Sequence, residues 1–404
     1  MPTRGEHPAG PRVLIYSQDG LGLGHMRRTQ LVAGQLLARC PGASVLTLSD
    51  SPLGSFFRLP PRHHYVNLPT LVKVGPGLWR PGGPGQRLAE VLALRRQRIR
   101  AVLDAYRPHL ILVDHMPQGA MGELLPVLEH LAEHRRATRV VLGLRDILDA
   151  PAVVRETWAR EGAYRALEHY YDGVLVYGQR EVFDLTAAYR LPAPVREHLR
   201  YCGYVCSAAG SPDSGRIRAA HLAGAGRRAK LIVALAGGGA DGYPLMSAVL
   251  GAMPAILADC PVIAVLITGP FMPADLQRRL QRQARSLPVR LRASVGEAHG
   301  YVEAADLVVA MAGYNTSVEI LRSRKPAILI PRPGPSAEQR TRSQLFTARG
   351  WVRMIDPEEL TPDRLATAAL AALAGGRAPC GHDQPDLHGL PVAVDHLLAL
   401  LGSA

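Results

Sequence analysis

Residues 12–39 read RVLIYSQDGLGLGHMRRTQLVAGQLLAR. The first six, Arg12–Ser17, form a short apolar, β-rich run. A glycine-rich turn follows, and from about Met26 the apolar residues recur at helical spacing. Strand, glycine turn and helix together open a parallel α/β sheet. Working outward, further strand signals lie at 43–49, 110–113, 139–144 and 173–177. The series starts again at 230–235 and continues at 261–267, 289–292, 307–310 and 326–330. These runs are continuously apolar, as strands covered on both faces must be, and right-handed crossovers between them are the default. Residues 206–228 are small, polar and basic. We therefore expect a doubly wound α/β domain over 1–205, a linker at 206–228 that can act as a hinge, a second such domain over 229–384, and a C-terminal helix within 385–404. In open α/β sheets ligands sit beyond the carboxyl ends of the strands, near the switch point. Two domains of this kind are expected to face a central cleft, so strand-end loops are where chemistry is sought.

Composition narrows the classes. The chain has 404 residues, 47% hydrophobic and 20% charged, which fits a globular protein of about two domains. No run of about 18 apolar residues is present, so no membrane-spanning helix is expected. The first eleven residues lack the apolar core of a signal peptide and read as a short leader. Five cysteines are scattered; Cys202 and Cys206 lack partners at zinc-ligand spacing, so a cytoplasmic protein with reduced thiols and no metal site is expected. Net charge is +13, and only three of the 47 basic residues are lysine. Arg95, Arg96, Arg98 and Arg100 on one helix, and Arg278, Arg279, Arg282 and Arg285 on another, read as solvated helix faces. Without aromatic interleaving, no nucleic-acid partner is expected.

Three loops carry the candidate chemistry. In the first, Gly20, Gly22 and Gly24 do not fit G-x-G-x-x-G, which argues against a dinucleotide site with Asp50 on a ribose. The glycines still let backbone N–H groups approach an anion at a helix start. His25, at that start, suits a neutral imidazole that accepts a proton. Asp114 and Asp146, at strand ends, are alternative bases or orienters. Gly22, Gly24, Arg27 and Arg145 make up the acceptor or phosphate side, with Arg28 nearby. In the second half, Gly237, Gly238 and Gly239 follow a strand. Gly313, Asn315, Thr316 and Ser317 follow another, with Thr316 or Ser317 as N-cap and Glu319 in the first helical turn. A rigid proline loop then leads through Arg332 to Glu338 and Gln339.

Together these segments resemble the GT-B nucleotide-sugar glycosyltransferases, in particular glycosyltransferase family 28, which includes lipid-II-forming and monogalactosyldiacylglycerol-forming enzymes. Asp114-His115-Met116-Pro117 and Arg145-Asp146-Ile147 resemble a subgroup of predicted glycosyltransferases. The resemblance implies two Rossmann-like domains and transfer of a hexosyl group from a nucleotide-diphosphate sugar, a UDP-sugar foremost, to a small-molecule or lipid-linked acceptor. It implies ribose binding by Glu319, donor-sugar binding by Glu338 and Gln339, and contact of the base with backbone near Ser294 and Val295. An inverting reaction is expected. No cofactor is implied, the nucleotide-sugar being a co-substrate, and no Asp-x-Asp metal motif is present. Two positions depart from the family: Leu23 stands where a glycine is usual before Gly24-His25, and Glu338 replaces Gln or Asp. A GT-B epimerase or hydrolase and a non-catalytic partner protein stay open as alternatives, and so does peripheral contact with an anionic membrane. Residues 70–85 and 151–164 are read as loops that shape acceptor choice.

Overall fold

The computed structural model describes residues 10–18, 24–51, 59–75, 78–134, 138–207, 210–375 and 384–402. Two compact units emerge: residues 1–205 with 386–404, and residues 206–385.

The first unit contains β1 (Arg12–Ser17), β2 (Ser44–Ser49), β3 (His63–Asn67), β4 (Leu71–Gly75), β5 (Leu78–Pro81), β6 (Leu110–Asp114), β7 (Arg139–Arg145), β8 (Gly173–Tyr177) and β9 (Leu199–Tyr201). Seven of these form one sheet in the order β3-β2-β1-β6-β7-β8-β9, every neighbour parallel. β6 and β8 are buried at every position and β1 and β7 at nearly every one, because helices cover both faces. The order reverses between β1 and β6, so the switch point lies beyond Ser17 and Asp114.

The second unit holds β10 (Lys230–Leu235), β11 (Val262–Ile267), β12 (Val289–Arg292), β13 (Leu307–Ala310), β14 (Ala327–Leu329) and β15 (Arg353–Met354). They form a parallel sheet in the order β12-β11-β10-β13-β14-β15. Its switch point falls between β10 and β13.

Several segments differ from the sequence reading. The edge strands β3, β9 and β15 leave no signal in the sequence, because HHYVN, LRY and RM contain no apolar run. Residues 70–85 carry an antiparallel hairpin, β4 with β5, rather than an open loop. Residues 151–164 are largely helical, with Pro151 at the first position of the Pro151–Glu161 helix, where its missing N–H costs nothing. The stretch expected as a linker holds the Ser214–Leu222 helix. Its Ile217 packs close to Gly300, and its Arg218 pairs with Asp306 at 2.9 Å. The C-terminal helix, Gly389–Gly402, packs on the Gly24–Arg39 helix of the first unit and buries Ala393, Val394 and Leu397. Among the described residues no helix is long and apolar enough to cross a membrane.

Candidate active site

At the first unit's switch point, β6 ends in Asp114 and the helix after β1 begins Gly24-His25. His25 Nδ1 lies 2.5 Å from Asp114 Oδ2. The Arg28 Nη2 atom donates to Asp114 Oδ1 at 2.7 Å and to Oδ2 at 2.8 Å. Asp114 is 1% exposed and Arg28 1%. Burial works against the carboxylate, but Arg28 and then His25 outweigh it and hold Asp114 below the usual carboxylate range. An ionised carboxylate only accepts, so Nδ1 carries the proton and donates to Asp114. The 3.0 Å approach of Arg28 Nη2 to the same Nδ1 is then a contact between two donors, not a hydrogen bond. This tautomer leaves Nε2 with the lone pair. No described residue hydrogen-bonds Nε2, and the side chain is 17% exposed.

Sequence reasoning missed His115. Its ring lies 5.2 Å from that of His25, and its backbone takes a φ of 73°. Arg145 Nη2 donates to its Nε2 at 3.3 Å. Burial, then Arg145, His25, Arg28 and Lys73, drive His115 well below the ordinary imidazole value, so it is neutral. Its place in the Asp114-His115-Met116-Pro117 segment, beside Asp114, was the signal that pointed to it. Arg28 also sits over the Tyr177 ring, at 5.3 Å from the centroid. Asp146, at the end of β7, is buried, caps the backbone N–H of Ile147 at 2.8 Å and packs against Gly178. Arg27 is half-buried on the same helix as His25. Gly24 opens that helix, while Gly22 lies outside the described residues.

Behind this site the structure corrects the reading of Arg95 as a solvated arginine. It is 0% exposed. It donates to Glu123 at 2.6 Å, to Asp50 at 3.1 Å and to Gln18 Oε1 at 2.7 Å. Tyr16 donates to the same Glu123 at 2.6 Å. The network ties the ends of β1 and β2 to the Leu88–Tyr106 helix, so Asp50 serves as an internal counter-ion rather than a ribose ligand. Arg96, Arg98 and Arg100 are exposed, as expected.

In the second unit Gly237 and Gly239 follow β10 with φ of 61° and 93°. A Cβ on Gly239 would stand 2.2 Å from Thr268 O, so only glycine lets this turn lie against the loop after β11. Gly238 lies between them. Gly313 is the N-cap of the Tyr314–Ser323 helix after β13, without a side-chain cap. This corrects the expected N-cap at Thr316 or Ser317. The helix starts earlier, because Gly313 O already accepts from Ser317 N at 2.9 Å. Glu319 therefore lies in the second turn, half-buried, and not in the first. Asn315 and Thr316 are half-buried in the first turn, while the Ser317 side chain is buried with no hydrogen-bond partner for its hydroxyl. A Cβ on Gly313 would meet open space. Ser294 is exposed and Val295 half-buried in the loop after β12.

Glu338 and Gln339 open the Glu338–Ala348 helix beyond β14. Glu338 pairs with buried Arg342 at 2.8 Å, and Arg332 N donates to Gln339 Oε1 at 3.1 Å. Arg332 Nε lies 3.0 Å from Asp241 Oδ2, bringing the loop after β14 to the loop after β10. The second unit's candidate residues thus gather beyond the carboxyl ends of its strands, where a helix N-terminus and glycine turns suit an anion.

Residues 233–379 match the glycosyltransferase family 28 C-terminal domain. The second unit thus carries a region similar to that domain, and the fold of the chain is of the GT-B type. It is 27% identical over 394 residues to a Mycobacterium bovis (strain BCG / Pasteur 1173P2) UDP-N-acetylglucosamine–N-acetylmuramyl-(pentapeptide) pyrophosphoryl-undecaprenol N-acetylglucosamine transferase, covering 94% of this chain and 88% of the relative. In fold the chain is similar to a Polygonum tinctorium UDP-glucosyltransferase that glucosylates indoxyl, with a TM-score of 0.61, 12% identity and coverage of 99% and 100%. A putative UDP-N-acetylglucosamine 2-epimerase of Listeria monocytogenes shares the fold too, with a TM-score of 0.58, 14% identity and coverage of 97% and 95%. At such identities the structural likeness speaks for the fold alone.

Proposed function

We propose that this glycosyltransferase moves a hexosyl group from a UDP-sugar to a small-molecule or lipid-linked acceptor, without a metal ion and with inversion at the anomeric carbon. Support for the donor comes from the second unit's strand-end loops and from the relatives, several named for UDP-sugars. The diphosphate binds the Gly237–Gly239 turn and the Gly313–Ser317 helix start. Glu319 holds the ribose, Glu338 and Gln339 the sugar, and backbone near Ser294 and Val295 the base. On the acceptor side Gly22, Gly24, Arg27 and Arg145 receive anionic groups, and Asp146 helps orient the acceptor.

The observation that carries the chemistry is the His25–Asp114–Arg28 cluster. The acceptor hydroxyl oxygen forms its bond to the anomeric carbon as the bond from that carbon to the diphosphate oxygen breaks. The electron pair leaves with the UDP, and the hydroxyl proton passes to His25 Nε2. Asp114 holds Nδ1–H and stabilises the imidazolium that results. Backbone N–H groups aimed at the leaving diphosphate supply the stabilisation that a metal gives elsewhere.

A membrane contact fits the hairpin of β4 and β5, where Val74 is 55% and Leu78 63% exposed beside Lys73 and Arg80. A cytoplasmic setting suits the buried thiols of Cys202 and Cys206. A thermal-shift screen of UDP, GDP, dTDP and their sugars tests the donor. Stabilisation by UDP and a UDP-sugar is the expected result, and no response to any nucleotide sinks the reading. Turnover is expected to survive a chelator. Consumption of the UDP-sugar without any acceptor would favour an epimerase or hydrolase instead.

A further inference from the structure

Arg342 is 0% exposed, and three of its contacts reach toward the proposed donor site. Its Nη2 pairs with Glu338 Oε1 at 2.8 Å, one helical turn back. Its Nη1 donates at 2.9 Å to the carbonyl of Ala312, the residue before Gly313. Its guanidinium carbon lies 5.6 Å from the centre of the Tyr314 ring, at the start of the Gly313-capped helix. One rigid, planar cation therefore joins the turn proposed for the diphosphate to the carboxylate proposed for the sugar. The neighbouring Gln339 is fixed differently. A backbone N–H can only donate, so the atom of Gln339 facing Arg332 N must be the amide oxygen. That leaves its NH2 group as the outward end, with no partner among the described residues. Glu338, salt-bridged and ionised, can only accept. The pair thus presents one acceptor and one donor side by side.

We propose that Arg342 is a positioning residue for the donor sugar. It holds the Glu338 carboxylate at a set distance from the Gly313 turn, so that Glu338 accepts from one sugar hydroxyl while the Gln339 amide donates to its neighbour. The ligand class is a nucleotide-diphosphate sugar with two adjacent hydroxyls presented to this pair. The inference rests on the donor reading above and adds what orients its sugar subsite. It also accounts for a glutamate at position 338, since an amide there would lose the ion pair to Arg342.

The test compares the affinity for UDP with that for whichever of UDP-glucose, UDP-galactose and UDP-N-acetylglucosamine stabilises the wild type most. Arg342→Lys keeps a cation but loses the planar fork. We expect it to bind UDP within about twofold of wild type and the UDP-sugar about tenfold more weakly, in line with the loss of one charge-assisted hydrogen bond. A clamp that serves only the fold would shift both affinities together or neither, and either result overturns the proposal. Should Arg342→Lys fail to fold, Glu338→Gln keeps the side-chain volume and is expected to lose the UDP-sugar preference likewise; an unchanged preference overturns it. Where both variants fold, their double variant is expected to lose no more than the larger single loss, because both act through one contact. Additive losses would count against it. Failure of wild-type UDP binding would remove the donor reading itself and this inference with it, a result distinct from a preserved UDP affinity with a lost sugar preference.

Discussion

At the scale of single residues the chemistry proposed for the first unit depends on a proton address. Asp114 fixes which imidazole nitrogen of His25 carries hydrogen, and Arg28 keeps Asp114 ionised in a buried place. We expect His25→Ala to retain UDP affinity and to lose about 10²–10⁴ in turnover; steady-state rates beside calorimetric binding check this, and unchanged turnover removes His25 from the role. Asp114→Asn keeps the shape but presents an amide to Nδ1, and should lose turnover in the same direction. Gly313 gives a complementary case. Its φ of −62° suits any residue, and a Cβ there meets open space. Gly313→Val should therefore leave the melting temperature nearly unchanged while blocking the nucleotide. If the variant binds UDP as the wild type does, no diphosphate sits at that turn.

At the scale of elements, burial decides behaviour that composition does not show. His63 starts β3 and is 5% exposed, with Nε2 at 2.8 Å from Thr47 Oγ1. Burial first, and the neighbouring His64 second, push it down to about 4 from 6.5. Between those values the unfolded chain binds a proton that the folded one refuses. Stability is therefore fully present above pH 6.5 and falls by roughly 1.4 kcal/mol per pH unit toward pH 4 from this group. Urea midpoints of the wild type and His63→Gln at pH 7 and 5 check it: the variant should lose less on acidification, and parallel losses would dismiss His63 as the cause. The β4–β5 hairpin offers a second case at this scale. Replacing Val74 and Leu78 by serine should weaken binding to anionic liposomes without touching turnover on a soluble acceptor; equal liposome binding would rule the hairpin out.

At the scale of the whole molecule, the chain's last helix belongs to its first unit. Gly389–Gly402 lies on the Gly24–Arg39 helix that carries His25, with Arg39 and Asp395 2.7 Å apart. Leu397 is 0% exposed there. We expect Leu397→Ala to destabilise the first unit by about 2–5 kcal/mol and to leave the second unaffected. Proteolytic fragments appearing under mild denaturant should then arise from residues 1–205, whereas equal loss from both units would contradict the assignment.

The sequence by itself determined the α/β class, ten of the strands and the glycine turns that follow the first strand of each series. Strands covered on both faces must be apolar throughout, and that need is written in consecutive residues. Position beyond the strand ends was legible for the same reason, so His25, Asp114, Gly237–Gly239, Gly313 and Glu338 could be named. Tertiary structure alone decided the rest. Edge strands such as LRY and RM bury too little to leave a pattern. Arg95 and Arg342 look like surface arginines until residues distant in sequence, or a carbonyl from another loop, close around them. The helix around Glu319 starts at Gly313 because the Gly313 carbonyl already accepts the first intrahelical hydrogen bond, from Ser317 N–H, which no side-chain preference announced. Which nitrogen of His25 is left to take a proton follows from a carboxylate 89 positions away, and only folding brings the two within 2.5 Å.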